Sequence, residues 1–371
     1  MSPEPLTGQK SILLLCPHPE NVAPGQRLKY EQYFDYLRDS GYSITVSPFM
    51  SEKMQSILYK NGFIFSKILG TIFGYFKRVY DLLRAPFYDG VFVFLYVTPF
   101  GPPFFELLLS IANKKLIYDI DDMVFLKEEH SVNRIATLLK GRTKMKFLIM
   151  KAKHVITCTP YLDDYARKFN HQTTDISSTI NTDDYQPVNR YKNSADDPIV
   201  LGWTGSHSTS NYLKLLSDVL PKLADKYNIK LLVIGDKSFQ MEGIVCEAHA
   251  WNLDNEVSDL QKIDIGLYPI PDDPWVYGKS GLKALQYMAL GIPTVASAIG
   301  TNFRIIKSLE NGVLVKTDED WYSAIESLIR DCDLRRRLGE AGRRTVLKNY
   351  SVIANRDTYL SIFDSVYRSY H

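Results

Sequence analysis

Cysteine is scarce: the 371 residues hold 4, Cys16, Cys158, Cys246 and Cys332. No two form a C-x-x-C pair, which argues against a zinc ribbon, a dithiol redox centre and a disulfide-dense secreted scaffold. Long apolar runs are also missing. No uninterrupted stretch reaches the roughly 18–20 residues that a spanning helix needs. The first apolar run, at 12–15, is too short for a signal-peptide core and is soon followed by Pro17 and Pro19. These absences predict a cytoplasmic chain with reduced thiols. Charge of one sign is lacking too. Lys and Arg number 44 against 42 Asp and Glu, a formal net charge of +2. Composition therefore carries no nucleic-acid signal, and no groove-reading motif accompanies the basic residues. Disorder needs low hydrophobicity with high net charge; at 45% hydrophobic and 23% charged residues, this chain has neither.

What is present is an alternation of short apolar runs with helical patterns. Residues 11–16 (SILLLC) read as a parallel strand buried on both faces, ended by Pro17. Residues 27–40 read as a helix with Leu28, Tyr33, Phe34 and Leu37 on its apolar side and Gly41 at its C-terminal cap. Residues 42–47 (YSITVS) are a second strand, so the chain opens as a β–α–β unit. Strands are expected again at 90–97, 115–120 and 154–158, with helices at 104–112 and 161–169. Residues 181–198, rich in Asn and Asp and holding Pro187 and Pro198, read as a linker. A second series follows, with strands at 199–203, 230–234, 263–268, 293–297 and 312–315 and helices at 212–227, 282–290, 321–330 and 334–348. Residues 352–369 make a last amphipathic helix. The expected fold class is α/β, two doubly wound Rossmann-like domains facing a central cleft. The expected domains are 1–190 and 191–351, with 352–371 packing back on the first.

Ligands of such sheets bind beyond the carboxyl ends of the strands. The block 278–297, GKSGLKALQYMALGIPTVAS, places Gly278 and Gly281 in a loop that feeds a helix. It reads either as a cradle for phosphate, with backbone N–H groups and a helix N-terminus aimed at the anion, or as an ordinary turn. In the first half, Asp119, Asp121 and Asp122 follow a strand. Three adjacent carboxylates repel one another. They are either helix caps and ion-pair partners or a cluster that recognises a ligand. The loop 17–27 brings Gly25 and Arg27 to another strand end, where Arg27 suits an acceptor phosphate or is simply exposed. His18 in the same loop reads equally well as a packed residue.

Two segments are locally basic and aromatic. Residues 52–84 carry Lys53, Lys60, Lys67, Lys77, Arg78 and Arg84 against Glu52 and Asp81, interleaved with Tyr59, Phe63, Phe65, Phe73, Tyr75, Phe76 and Tyr80. Residues 140–153 carry Lys140, Arg142, Lys144, Lys146, Lys151 and Lys153 with no acid. Such stretches suit the headgroup region of an anionic membrane; the alternative is two surface helices with solvated lysines.

The block at 278–297 resembles the nucleotide-binding region of the family 4 glycosyltransferases, retaining enzymes of GT-B fold. The run Gly202, Trp203, Thr204, Gly205, Ser206 is similar to the opening strand and loop of their donor domain. Ile234, Gly235, Asp236 and the segments 264–269, 176–187 and 334–350 match further blocks. The resemblance implies a nucleotide-sugar donor held through Gly205, Ser206, Lys237, Lys279, Ser280, Gly281 and Gln286. It implies an acceptor held through Gly25, Arg27 and Asp122, with Asp119, Asp121 and Lys279 as catalytic residues. Asp121 falls where the family often has a histidine. The chain departs from the family at the two glutamate positions of this block, which fall on Gly278 and Gln286, and at a pyrophosphate Arg/Lys pair, for which Lys279, Lys283, Lys237 and Arg304 are substitutes. No metal and no cofactor are expected. The implied acceptor is a glycan or a polyprenyl-linked carrier of bacterial surface polysaccharide, met at the inner face of the cell membrane by a front-face mechanism. The rival expectations are a degenerate binding protein or partner subunit, and a nucleotide-sugar epimerase.

Overall fold

The computed structural model describes residues 8–58, 60, 62–123, 142–188 and 197–368. Tyr59, Lys140, the side chain of Arg142, residues 189–196 of the expected linker and residue 369 of the expected last helix lie outside the described residues. The chain divides into two compact units, Met1–Ser178 with Asn355–His371, and Thr179–Ala354.

The first unit runs β1 (Lys10–Cys16), α1 (Pro24–Arg27), α2 (Phe34–Asp39), β2 (Tyr42–Pro48), α3 (Glu52–Ile57), α4 (Ile64–Arg84), β3 (Gly90–Phe94), α5 (Phe104–Ala112), β4 (Leu116–Asp119), α6 (Arg142–Lys151), β5 (His154–Thr157), α7 (Pro160–Arg167) and β6 (Thr173–Asp175). Its six strands pair in parallel in the order β2-β1-β3-β4-β5-β6. Parallel neighbours need crossovers, and helices supply them. Ile12, Leu13, Leu14 and Leu15 are all buried, which explains why β1 reads as an unbroken apolar run rather than an alternation.

The second unit runs β7 (Ile199–Thr204), α8 (Leu220–Ala224), β8 (Ile229–Ile234), β9 (Val245–His249), α9 (Glu256–Leu260), β10 (Ile265–Tyr268), α10 (Leu282–Ala289), β11 (Thr294–Ser297), α11 (Asn302–Ile305), β12 (Val313–Val315), α12 (Asp318–Arg330) and α13 (Cys332–Asn349). The order is β12-β11-β10-β7-β8-β9, again parallel. The strand order therefore reverses between β7 and β10, and in the first unit between β1 and β3. Those switch points are where doubly wound sheets open a crevice for ligand.

The last helix, α14 (Val352–Tyr367), packs on the first unit. Tyr359 stacks on Tyr33 at 4.2 Å between ring centroids, Phe363 meets Tyr42 edge-on at 5.3 Å, and the Tyr367 hydroxyl donates to the Val91 carbonyl at 2.8 Å. Gly90 leaves the room that the Tyr367 ring fills.

Several expectations need correction. The helix expected at 27–40 is broken between α1 and α2, where Lys29 turns its side chain into the core. The helix expected at 212–227 is a 3₁₀ turn, Ser210–Leu216, followed by α8 with Pro221 in its first turn, where a missing N–H breaks no helical bond. Strands β6 and β9 were not anticipated: β6 has three residues, and β9 is an edge strand with no fully buried position.

The basic segments also differ from expectation. Arg78 and Lys144 are buried. Arg78 donates to the carbonyls of Cys16, Ser47 and Val97 at 2.9, 3.0 and 2.7 Å and pairs with Asp81 at 2.7 Å, tying together β1, β2 and the segment after β3. Lys144 donates to the Thr98 and Phe100 carbonyls and pairs with Glu106 at 3.4 Å. Arg78 is on the inward side of α4, beside Gly70 and Gly74. A Cβ on Gly74 would meet the Phe49 ring at 2.6 Å, and one on Gly70 the Met54 sulfur at 2.9 Å. Small and charged residues thus face the core of this helix, while its large apolar residues face outward.

Candidate functional site

At the second unit's switch point, the backbone after β7 and the backbone after β8 run close together. Gly235 has φ +114°, a conformation only glycine adopts readily, and a Cβ there would run into the Gly205 carbonyl. A Cβ on Gly205 would lie 2.6 Å from the Trp203 ring and 2.7 Å from Cε of Lys283. The Gly205 N–H donates to the Ile234 carbonyl at 2.9 Å. Gly205 therefore serves by close approach, because its N–H is already used within the protein. The Thr204 N–H donates to the buried Tyr287 hydroxyl at 2.8 Å, which fixes α10 against the end of β7.

Lys283 lies in the first turn of α10. Its ammonium sits 4.6 Å from the Trp203 ring centroid, 5.6 Å from that of Tyr268 and 3.4 Å from Oγ1 of Thr209. Trp203 and Tyr268 belong to the two strands that flank the switch. Among the described residues no carboxylate pairs with this lysine. Burial, with the nearby charge of Lys279, pushes its pKa down to about 7. Lys279 stands over Trp275 at 5.1 Å. Gly281, at φ +74°, caps α10, and a Cβ there would strike Ile305. Ser280 is half-buried beside it, and the exposed Ser206 hydroxyl lies 2.9 Å from that of Ser208. Lys237 is exposed in the turn after β8.

Gln286 lies deeper. It is buried, and its amide nitrogen donates to the Tyr185 hydroxyl at 3.0 Å and to Oε1 of Glu256 at 3.3 Å. Tyr185 and Trp251 also donate to Glu256, at 2.9 and 3.0 Å. The amide nitrogen is thus held inside the unit. Next to the switch, Asp236 accepts from the Ser210 and Ser238 hydroxyls at 2.6 and 2.7 Å and from His207 at 3.0 Å. Burial opposes ionisation there, yet these donors hold the carboxyl well below the usual carboxylate range.

In the first unit, Gly25 and Asp121 come together: a Cβ on Gly25 would collide with Oδ2 of Asp121. The half-buried Arg27 is two residues on, and Asp122 accepts from the Met123 N–H at 2.7 Å. Asp119, expected among the catalytic residues, lies in the core of the unit. It is fully buried, pairs with Lys29 at 2.7 Å and accepts from Tyr359 at 3.2 Å. Burial raises its pKa, with Lys29 and Tyr359 opposing. It is a structural link between β4 and α14. His18 packs in its loop with Nδ1 2.8 Å from Oε1 of Gln55, and burial lowers its pKa. Among the described residues no group of three His, Cys, Asp or Glu is placed to hold a metal ion.

Residues 187–345 match the family model described as Glycosyl transferases group 1. The second unit carries a glycosyl transferases group 1 domain. Over 155 residues the chain is 28% identical to Glycosyltransferase 1 domain-containing protein 1 of Xenopus tropicalis, covering 40% of this chain and 45% of that one. The chain spans less than half the length of the curated relatives it matches. Sucrose-phosphate synthase from Thermosynechococcus elongatus aligns with a TM-score of 0.68 at 17% identity, over 97% of this chain and 100% of that one. Anabaena HepE, solved in complex with UDP and glucose, aligns with a TM-score of 0.68 at 14% identity, over 96% and 100%. At these identities the likeness is one of fold, and the fold is GT-B.

Within the group 1 domain, sequence reasoning named Lys283 only as a substitute and missed its aromatic surroundings. Their signal was present: Trp203 and Tyr268 each sit near the carboxyl end of a strand, and those strands flank the switch. Glu256 carried no such signal, because its partners come from segments 71, 30 and 5 residues away.

Proposed function

We propose that the chain transfers a glycosyl group from a nucleotide-activated sugar to a hydroxyl of a glycan or polyprenyl-linked acceptor. In this reading it is a family 4 enzyme that retains configuration at the anomeric carbon and works at the inner face of the cell membrane in bacterial surface polysaccharide assembly. One observation carries the proposal. The switch point of the group 1 domain holds a lysine ammonium between two aromatic rings with no carboxylate partner among the described residues. A diphosphate supplies the charge that such a site lacks.

The donor diphosphate lies against Lys279 and Lys283, with Lys237, Ser206, Ser280 and Gly281 around it, and the ribose meets the Gln286 carbonyl. The bond between the anomeric carbon and the diphosphate oxygen breaks, and the nucleoside diphosphate leaves with the electron pair. The acceptor oxygen bonds to the same carbon, and its proton passes to the departing phosphate. Charge grows on the leaving group in this step, so fixed ammonium groups lower its barrier. Asp121 and Asp122, with Gly25 and Arg27, receive the acceptor. Asp119 takes no part, and the reading calls for no metal or cofactor.

Thermal shift with a panel of nucleotide sugars, followed by nucleotide release with bacterial lipid extract present, tests this. A nucleotide sugar that stabilises the fold and releases nucleotide only with acceptor supports it. Binding without release across acceptors favours the second reading, a nucleotide-binding relative without turnover, for which the absence of glutamate at Gly278 and Gln286 speaks. No binding by any member of the panel removes the donor-site assignment.

A further inference from the structure

Helix α4 is built inside out. Its inward side carries Gly70, Gly74 and the buried Arg78–Asp81 pair, whereas Phe65, Phe76 and Leu83 are 73%, 70% and 70% exposed. Ile68, Ile72 and Val79 are exposed between them. These six positions recur every three to four residues and so form one stripe along the helix. Phe87, just beyond it, is 84% exposed. The neighbouring α5 extends the apolar surface through Phe104, Leu107 and Ile111, which are exposed at helical spacing. Soluble monomers rarely expose contiguous apolar patches beyond a few hundred Å².

The exposed charges on α4, α5 and the adjoining α6 have one sign. Helices α4, α5 and α6 contain only two acids, Asp81 and Glu106, and both are buried in ion pairs with Arg78 and Lys144. Lys146 and Lys151 of α6 are exposed, and Lys67, Lys77 and Arg84 lie half-buried along α4. The surface is therefore apolar with a rim of cations and no exposed acid on these helices.

We infer that the α4–α5 face seats the protein on an anionic lipid bilayer, with α4 lying in the interface plane. Apolar side chains with a cationic rim match acyl chains beneath negatively charged headgroups. A second copy of the chain fits less well, since a two-fold contact sets the same surface against itself and faces one cationic rim with another. At 21 residues α4 is about 30 Å long. No helix among the described residues is apolar and long enough to cross a membrane, so the seat is interfacial. It concerns a surface separate from the donor site and stands or falls independently of the transfer reading.

Flotation of the full chain with vesicles tests it. The probes are phosphatidylcholine alone and phosphatidylcholine mixed with phosphatidylglycerol, at low and high salt, with sedimentation read in parallel. The wild type is expected to float with the mixed vesicles, less so at high salt. Ile72→Glu with Phe76→Glu is expected to weaken binding by about tenfold or more for each apolar side chain lost, with an unchanged melting temperature because both sites are exposed. Lys146→Glu with Lys151→Glu is expected to remove the preference for phosphatidylglycerol. A wild type that fails to float overturns the inference, whether it is a monomer or an oligomer that the α4 substitutions disperse, as does equal flotation of the α4 variant. Nucleotide-sugar binding measured on the same α4 variant separates this outcome from failure of the donor site.

Discussion

Lys283 concentrates the residue-scale chemistry of the group 1 domain. Lys283→Met keeps the aliphatic packing against Trp203 and Tyr268 and removes the charge. Loss of one charge-assisted contact, worth roughly 1.5–3 kcal/mol, is expected to weaken nucleotide-sugar binding about 10- to 100-fold with the fold intact, as read by calorimetry. The pH dependence has a definite sign. Folding lowers this pKa from 10.5 to about 7, so between those values the unfolded chain binds more protons and stability rises with pH. Lys283→Met should therefore flatten the stability profile from about pH 7 to 10.5 and stabilise the apo protein most on the acid side. Donor affinity in the wild type should fall as pH rises above about 7, because the anion favours the ammonium. Gly25→Ala addresses the first unit. The added methyl meets the end of the Asp121 side chain rather than backbone, so folding should be little affected while Asp121 is displaced. The expected result is a raised KM for acceptor at unchanged donor affinity, measured by steady-state kinetics.

At the scale of elements, α4 offers opposite results from its two sides. Arg78→Leu leaves the Asp81 carboxylate with its buried partner gone, and breaking such a pair costs about 3–5 kcal/mol. Phe76→Glu on the other side is expected to change stability by less than about 0.5 kcal/mol. Urea denaturation of the two variants checks the contrast. The sequence located this segment as basic and aromatic but did not show that Arg78 is buried. A hydrophobic pattern shows which residues share a side and not which side is buried. The strands were easier to read. Parallel strands buried on both faces leave continuous apolar runs such as 12–16 and 231–234, whereas the edge strand β9 (VCEAH) has polar, half-exposed residues and no such trace.

At the scale of the whole molecule, α14 starts where the group 1 unit ends and contributes Tyr359, Phe363 and Tyr367 to the core of the other unit. Truncation after residue 351 is expected to expose Tyr33, Tyr42 and Phe92 and lower the first unit's melting temperature, while the second unit still melts cooperatively. Calorimetry should then resolve two transitions, with nucleotide sugar raising only that of the group 1 domain.

The alternation of apolar runs with helical segments, and the glycines at Gly205, Gly235 and Gly281, were legible along the chain. Each expresses a local need: a strand buried on both faces, or a backbone that no side chain can share. Strand order, the cage around Lys283 and the withdrawal of Asp119 were not. Asp119 and Asp121 are the same residue type two positions apart. One is fully buried with Lys29, 90 residues earlier, and Tyr359, 240 later, while the other lies half-buried against Gly25. Burial and charge pairing depend on which distant side chains arrive, and only the tertiary structure brings them.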